Sequence, residues 1–212
     1  MITVIANLKG GSGKSTVTFN LAAWLAVRGE KVIAFDLDPQ ATLSDVADVR
    51  REEGYQPPIE VVQVQDEVTG KLLRRHGEVL IDVGASNIPG MKQALALADR
   101  VLVPVPPSQA DIWSTQRFLK IVKESAPSSK RLQVLGFINR ADTHHAVRES
   151  DEAASALAQL PGMKIIDARL CQRTIYRRSF SEGLSVFELE PDGKAAAEFN
   201  QFSSALYPKL AA

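Results

Sequence analysis

Apolar positions along the chain fall into two alternating rhythms. Short runs rich in β-branched residues predict strands over residues 2–6, 31–35, 59–64, 79–83, 100–105, 132–138 and 163–166. Longer stretches with apolar residues at helical spacing predict helices over 14–28, 43–53, 67–75, 91–97, 112–125, 145–160, 173–182 and 194–206. Val79-Leu-Ile and Val101-Leu-Val are apolar without alternation, as expected of strands covered on both faces. This order predicts an α/β fold: a doubly wound, mostly parallel sheet with helices on both faces and right-handed crossovers. Residues 54–58 and 126–130 read as surface turns, and no repeat, low-complexity tract or linker divides the chain. Residues 1–212 therefore read as one domain. In such a sheet ligands sit beyond the carboxyl ends of the strands, so polar residues that follow apolar runs are the first candidates.

Charge and composition narrow the classes. Twenty-five basic residues balance 25 acidic ones, which excludes a generally basic nucleic-acid coat and leaves room for a local basic patch. The single cysteine, Cys171, excludes an intrachain disulfide framework, a thiolate zinc site and a cysteine-ligated iron–sulfur cluster within one chain. It reads as a small buried residue. His144 and His145 beside Asp142 read as an exposed loop or helix start rather than a metal site. Trp24 and Trp113 read as helix-packing residues. No apolar run approaches the roughly 18 residues of a membrane span. The first residues, Met1-Ile-Thr-Val-Ile, enter a strand with no signal-peptide pattern, so a cytoplasmic protein is expected.

The strongest chemical signal follows the first strand. Lys9, Gly10, Gly11, Ser12, Gly13, Lys14, Ser15 and Thr16 run straight into a helical pattern. Three glycines let backbone amides approach an anion, and the helix start adds its dipole and free N–H groups. In this pattern Lys14 supplies a point charge for β- and γ-phosphates, and Ser15 offers a hydroxyl to Mg²⁺. Strand two ends in Asp36-Leu37-Asp38-Pro39-Gln40, with two carboxylates on one side of an extended chain. A third apolar strand ends in Asp82, followed by Gly84-Ala-Ser. Asp36 and Asp82 are candidate metal residues.

The usual phosphate loop opens with a glycine where this chain has Leu8, and a second lysine, Lys9, follows. That deviation resembles the ParA/MinD family of deviant Walker A ATPases, and Gly84-Ala-Ser is closest to its short ParF-like branch. The resemblance extends to Asp36–Gln40, to Pro104-Val-Pro-Pro-Ser108-Gln-Ala-Asp111, to Gly136-Phe-Ile-Asn139-Arg140, to Gln172–Tyr176 and to Gly183–Glu188. It implies ATP and Mg²⁺ as ligands, with Lys14 and Asp38 as catalytic residues and Asp38 positioning the attacking water. It implies that Lys9 reaches the nucleotide of a second copy in an ATP-dependent homodimer. Asn139 and Arg140 fall where the family contacts adenine; Asn139 reads equally as a turn former.

Arg169, Arg173, Arg177 and Arg178 lie close together with no acidic residue among them. If this stretch is one helix, the first three form an i, i+4, i+8 stripe. It is either a solvated, ion-paired face or, as the resemblance implies, a surface for DNA bound without sequence preference. Tyr176 either stacks or packs. The family further implies a ParB-like centromere-binding or cargo-adaptor partner, and a cytoplasmic protein associated with the nucleoid. With its first strand starting at residue 2, the chain is expected to lack the helix-turn-helix domain of longer relatives. A MinD-like membrane-cycling ATPase and a biosynthetic ligase of the dethiobiotin synthetase type are the alternatives. The 194–206 helix, with Phe199, Phe202 and Leu206 at helical spacing and few basic residues, is expected to dock on the sheet rather than on a membrane.

Overall fold

Consecutive side chains in the strands serve two different cores. In the computed structural model, which describes residues 1–64, 69–73, 77–126, 132–144 and 148–210, the elements follow the strand–helix order of the sequence. The first half holds β1 (Ile2–Ile5), α1 (Lys14–Ala26), β2 (Val32–Asp36), α2 (Thr42–Glu52), β3 (Glu60–Gln63), α3 (Gly70–Leu73), β4 (Glu78–Asp82) and α4 (Ile88–Leu97). The second holds β5 (Arg100–Val105), α5 (Gln109–Ser125), β6 (Gln133–Ala141), α6 (Glu149–Ala158), β7 (Lys164–Ile165), β8 (Leu170–Cys171), α7 (Thr174–Ser181), α8 (Val186–Leu189) and α9 (Lys194–Leu206). A 3-10 turn, Pro208–Leu210, follows.

The strand order is β3-β2-β4-β1-β5-β6-β7, with β8 beside β6, and every pairing is parallel. After β1 the chain moves to one side of the sheet; after β4 it crosses back and lays β5 on the other side. The direction of winding therefore reverses at β1, and the crevice this leaves at the carboxyl end of β1 is where a doubly wound sheet takes its ligand.

Val4, Ile33, Phe35, Ile81, Val101 and Val103 join one core with Met91, Leu95, Phe118 and Leu157. Their immediate neighbours Ile5, Ala34, Leu80 and Leu102 join the other, with α1 and α9. Burial on both faces explains the unalternated apolar runs. Helix α1 is buried all round: every residue from Val17 to Leu25 is inaccessible, including Trp24, whose indole N–H donates to Asn200 Oδ1 at 3.0 Å. Its polar residues are satisfied internally, Thr18 by the Lys14 carbonyl and Asn20 by Thr16 O and Val186 N. Helix α9 has the expected bounds and docks through Phe199, Phe202 and Leu206, with Phe202 against Phe137 at 4.5 Å between ring centroids.

Several expectations change. Strand β8 and helix α8 are too short to leave a periodic signature in the sequence. Of the expected 67–75 helix, Gly70–Leu73 forms α3, while 67, 68, 74 and 75 lie outside the described residues, as does the start of the expected 145–160 helix, with His145. Trp113 is not a packing residue: it is 56% exposed on α5. The arginine stripe does not form, because Arg169 and Arg173 precede the first turn of α7.

Candidate nucleotide-binding site

Asn7 anchors the glycine-rich loop at the switch point. Its amide donates to the Pro104 carbonyl at the end of β5, and its oxygen accepts from Lys9 N–H. The loop then closes on itself, with Lys14 Nζ donating to the Lys9 carbonyl at 3.2 Å. Gly13 enters α1 at φ 89°, a left-handed conformation, and a Cβ there would lie 2.4 Å from the Asn139 amide. Asn139 is nearly buried, and its Nδ2 donates to Ser12 O at 2.7 Å. It braces the loop from β6. Arg140, at φ 57°, carries its guanidinium toward Gly11. The side chain of Lys9 is exposed, while Ser12 is buried with its hydroxyl unpartnered among the described residues.

Beside the loop stand the three aspartates. Asp36 and Asp82 are directly opposite on β2 and β4, and both are fully buried. Asp36 is saturated: Oδ1 accepts from Asp38 N, and Oδ2 accepts from both the backbone and the hydroxyl of Ser44. Asp82 is not. Among the described residues, neither of its oxygens meets a donor at hydrogen-bonding geometry. Burial pushes its carboxyl up to about 7; the nearby Ser15 hydroxyl and Lys14 charge oppose the rise, and Asp36 and Asp38 add to it. Burial in turn pulls the Lys14 ammonium down, against the attraction of Asp82 and Asp38. Asp38, partly exposed, accepts from Gln40 N through Oδ1.

A buried carboxylate with no donor costs several kcal/mol unless a cation completes it. Ser15 and Asp82 thus fit the donor set of Mg²⁺, a hard ion that prefers oxygen. A cavity of about 390 Å³ lies behind the loop, lined by Gly13, Thr16, Asn139, Arg140, Cys171 and Tyr176 among others. Tyr176 is largely buried, and its hydroxyl is unpartnered among the described residues. Cys171 is half-buried, and burial with the neighbouring Glu198 pushes its thiol up, so it carries little thiolate character. A larger cavity, about 830 Å³, opens between the α1–β2 turn and the end of α2 and contains none of the candidate residues.

The arginines at the carboxyl end are mostly committed. Arg169 pairs with Asp151 at 2.6 Å, Arg173 is held by both oxygens of Glu198, and Arg178 pairs with Glu182 at 3.0 Å. No ion pair holds Arg177 among the described residues. Sequence reasoning found the loop and the aspartates but missed the residues that hold them. Asn7, Ser44 and Asn87 carry no motif, and only their position after a strand or at a helix start signals them.

The glycine loop between β1 and α1, the aspartates at the ends of β2 and β4, and a match of residues 3–186 to the CobQ/CobB/MinD/ParA nucleotide binding domain all agree. The chain belongs to the CobQ/CobB/MinD/ParA family. It is 29% identical over 209 residues to the maintenance of carboxysome distribution protein A of Halothiobacillus neapolitanus, spanning 96% of this chain and 95% of that one. It is 26% identical over 222 residues to the protein ParA of Rhizobium radiobacter, spanning 99% and 97%. The plasmid partition protein of Borrelia burgdorferi bound to AMPPNP shares the fold at a TM-score of 0.76, with 19% identity over 98% of each chain.

Proposed function

We propose that this ParA/MinD-family chain is an Mg²⁺-dependent ATPase that closes into a homodimer on ATP and positions a cargo over nucleoid DNA. The observation that carries this reading is Asp82: buried, unpartnered on both oxygens among the described residues, and set between Lys14, Ser15 and the Asp36–Gln40 loop. The triphosphate lies along the amides of residues 10–16, with Lys14 against its β- and γ-oxygens. The base enters the cavity walled by Asn139 and Arg140. Ser15 and Asp82 would hold Mg²⁺, which would supply positive charge against the phosphates; Asp36 supports them by fixing the 38–44 turn. Asp38 accepts a hydrogen bond from water and turns it in line with the γ-phosphorus. The water oxygen bonds to phosphorus, the bond to the bridging oxygen breaks, and ADP and phosphate leave.

Lys9 is the residue that acts in trans, since its side chain is exposed at the mouth of the loop. Exposed ion pairs exchange readily for phosphate contacts, so Arg169, Arg177 and Arg178 are the DNA residues of this reading, while Arg173 stays on Glu198. A ParB-like or cargo-adaptor protein completes the cycle, in keeping with the names of the relatives. Burial of the apolar face of α9 supports this reading over the membrane-cycling alternative.

ATP turnover measured with and without nonspecific duplex DNA, together with particle size in ATP and in ADP, tests the reading. Dimers in ATP, monomers in ADP and salt-sensitive DNA binding are expected. A chain that binds no nucleotide, or stays monomeric in ATP, overturns it. Normal dimerisation and turnover by Lys9→Ala would remove Lys9 from its role.

A further inference from the structure

Asp38 is useful only if its carboxylate points at one place, and it sits on a loop. The peptide unit between Leu37 and Asp38 is held at both of its ends. Its N–H, from Asp38, donates to Asp36 Oδ1 at 3.0 Å. Its carbonyl, from Leu37, accepts from Asn87 Nδ2 at 2.9 Å. Because a peptide unit is planar, pinning both ends fixes the torsions on either side of it, and so the direction in which the Asp38 side chain leaves the backbone.

Asn87 belongs to the other strand-end loop. It caps α4, with Oδ1 accepting from Gly90 N at 3.0 Å, and its own N–H donates to Gly84 O. In the same turn Gly84 packs so closely on Asp38 that a Cβ would stand 2.7 Å from the carboxyl. One amide side chain therefore spans the loops after β2 and β4, one half of it capping a helix and the other half holding a carbonyl next to the water-positioning carboxylate.

We propose that Asn87 is a positioning residue for hydrolysis, strapping the Leu37–Asp38 peptide so that Asp38 faces the attacking water. The proposal rests on the ATPase reading above, and it divides Asn87 into two separable roles. Aspartate is as good a helix cap as asparagine, yet an ionised carboxylate has no proton to give to the Leu37 carbonyl. Asn87→Asp keeps the cap and breaks the strap. Asn87→Ser does the same with a shorter side chain and no charge.

Both variants are expected to lower kcat by about 10- to 100-fold, the scale of a misplaced catalytic group. The KM for ATP is expected to stay within about 3-fold, since the strap touches neither phosphate loop nor base cavity. The midpoint of thermal unfolding is expected to fall by no more than a few degrees, the scale of one lost hydrogen bond. In the nucleotide-free protein, amide exchange at Asp38, Gln40 and Ala41 is expected to quicken while α4 stays protected. Wild-type kcat in both variants, or exchange unaltered at those three amides, overturns the proposal. So does a loss of kcat matched by an equal loss of stability and ATP affinity, which marks Asn87 as a fold residue only. If the wild-type chain turns over no ATP, the ATPase reading itself fails, and the exchange measurement alone decides whether the strap exists.

Discussion

Asp36 and Asp82 stand side by side at the ends of neighbouring parallel strands, equally buried, and the protein treats them in opposite ways. What separates them is the path the chain takes next. After Asp36 it turns back within eight residues, bringing Asp38 N and Ser44 onto the carboxylate. After Asp82 it leaves through Gly84 toward Asn87, and among the described residues no donor returns. A carboxylate at a strand end is thus a loop organiser or a ligand-seeking group according to the donors the following loop supplies. Asp36 stabilises the fold, and the buried, unpartnered Asp82 destabilises it.

The largest effect expected from breaking this contrast comes from Asp82→Asn, in which stability and activity move apart. Turnover is expected to fall by about 10²- to 10³-fold, the scale of losing one charge-stabilising group. The metal-free protein is expected to gain roughly 1–3 kcal/mol in urea unfolding at about pH 8. The sign follows from the raised carboxyl, at about 7 in the fold. Because the native state holds its proton longer than the unfolded state does, wild-type stability declines as pH rises from the ordinary carboxylate range through that value. The gap between the two proteins should therefore close on acidification. A gap that is constant with pH would contradict the assignment.

Asp36→Asn should behave in the reverse way. It sets an amide group among three donors and is expected to cost about 2–3 kcal/mol in chemical unfolding, with or without metal. Gly84→Ala sharpens the comparison from the Asp82 side. Its new Cβ would meet the Asp38 carboxyl, and a cost of about 1–3 kcal/mol is expected, with turnover reduced and ATP affinity kept. Calorimetric binding and steady-state rates check both halves.

A compensated charge far from the loop supplies the opposite pH dependence. Arg50 is 1% exposed, and its guanidinium meets both oxygens of Glu188 and the carbonyls of Pro57 and Gly183. Burial pushes the Glu188 carboxyl up, but hydrogen bonds from Arg50 and Ser185 outweigh it and hold the group below its usual value. Wild-type stability should accordingly drop as pH falls through that lowered value. Glu188→Gln should lose this acid-side slope in unfolding curves measured between about pH 3 and pH 6.

Much of this was legible in the sequence. The unalternated runs Val79-Leu-Ile and Val101-Leu-Val announced a sheet covered on both faces, and Lys9–Thr16 announced the anion loop between β1 and α1. What the sequence hides is long-range pairing. Nothing local says that Asn87 reaches Leu37, 50 residues away, or that Asn139 braces Ser12, 127 residues away. Spacing alone also cannot distinguish Asp36 from Asp82, because their difference lies in which backbone amides fold back. The arginine stripe fails because its spacing needs one helix across Arg169–Arg177, where β8 and an extended Arg173 intervene before α7.

On the proposed reading, the unpartnered oxygens of Asp82 take a metal that arrives with a nucleotide. Titration calorimetry of ATP into the wild-type chain and Asp82→Asn, each with and without Mg²⁺, tests it most directly. Mg²⁺ should tighten ATP binding in the wild type, and that increment should vanish in Asp82→Asn while metal-free binding persists. An equal Mg²⁺ increment in both proteins would contradict the account.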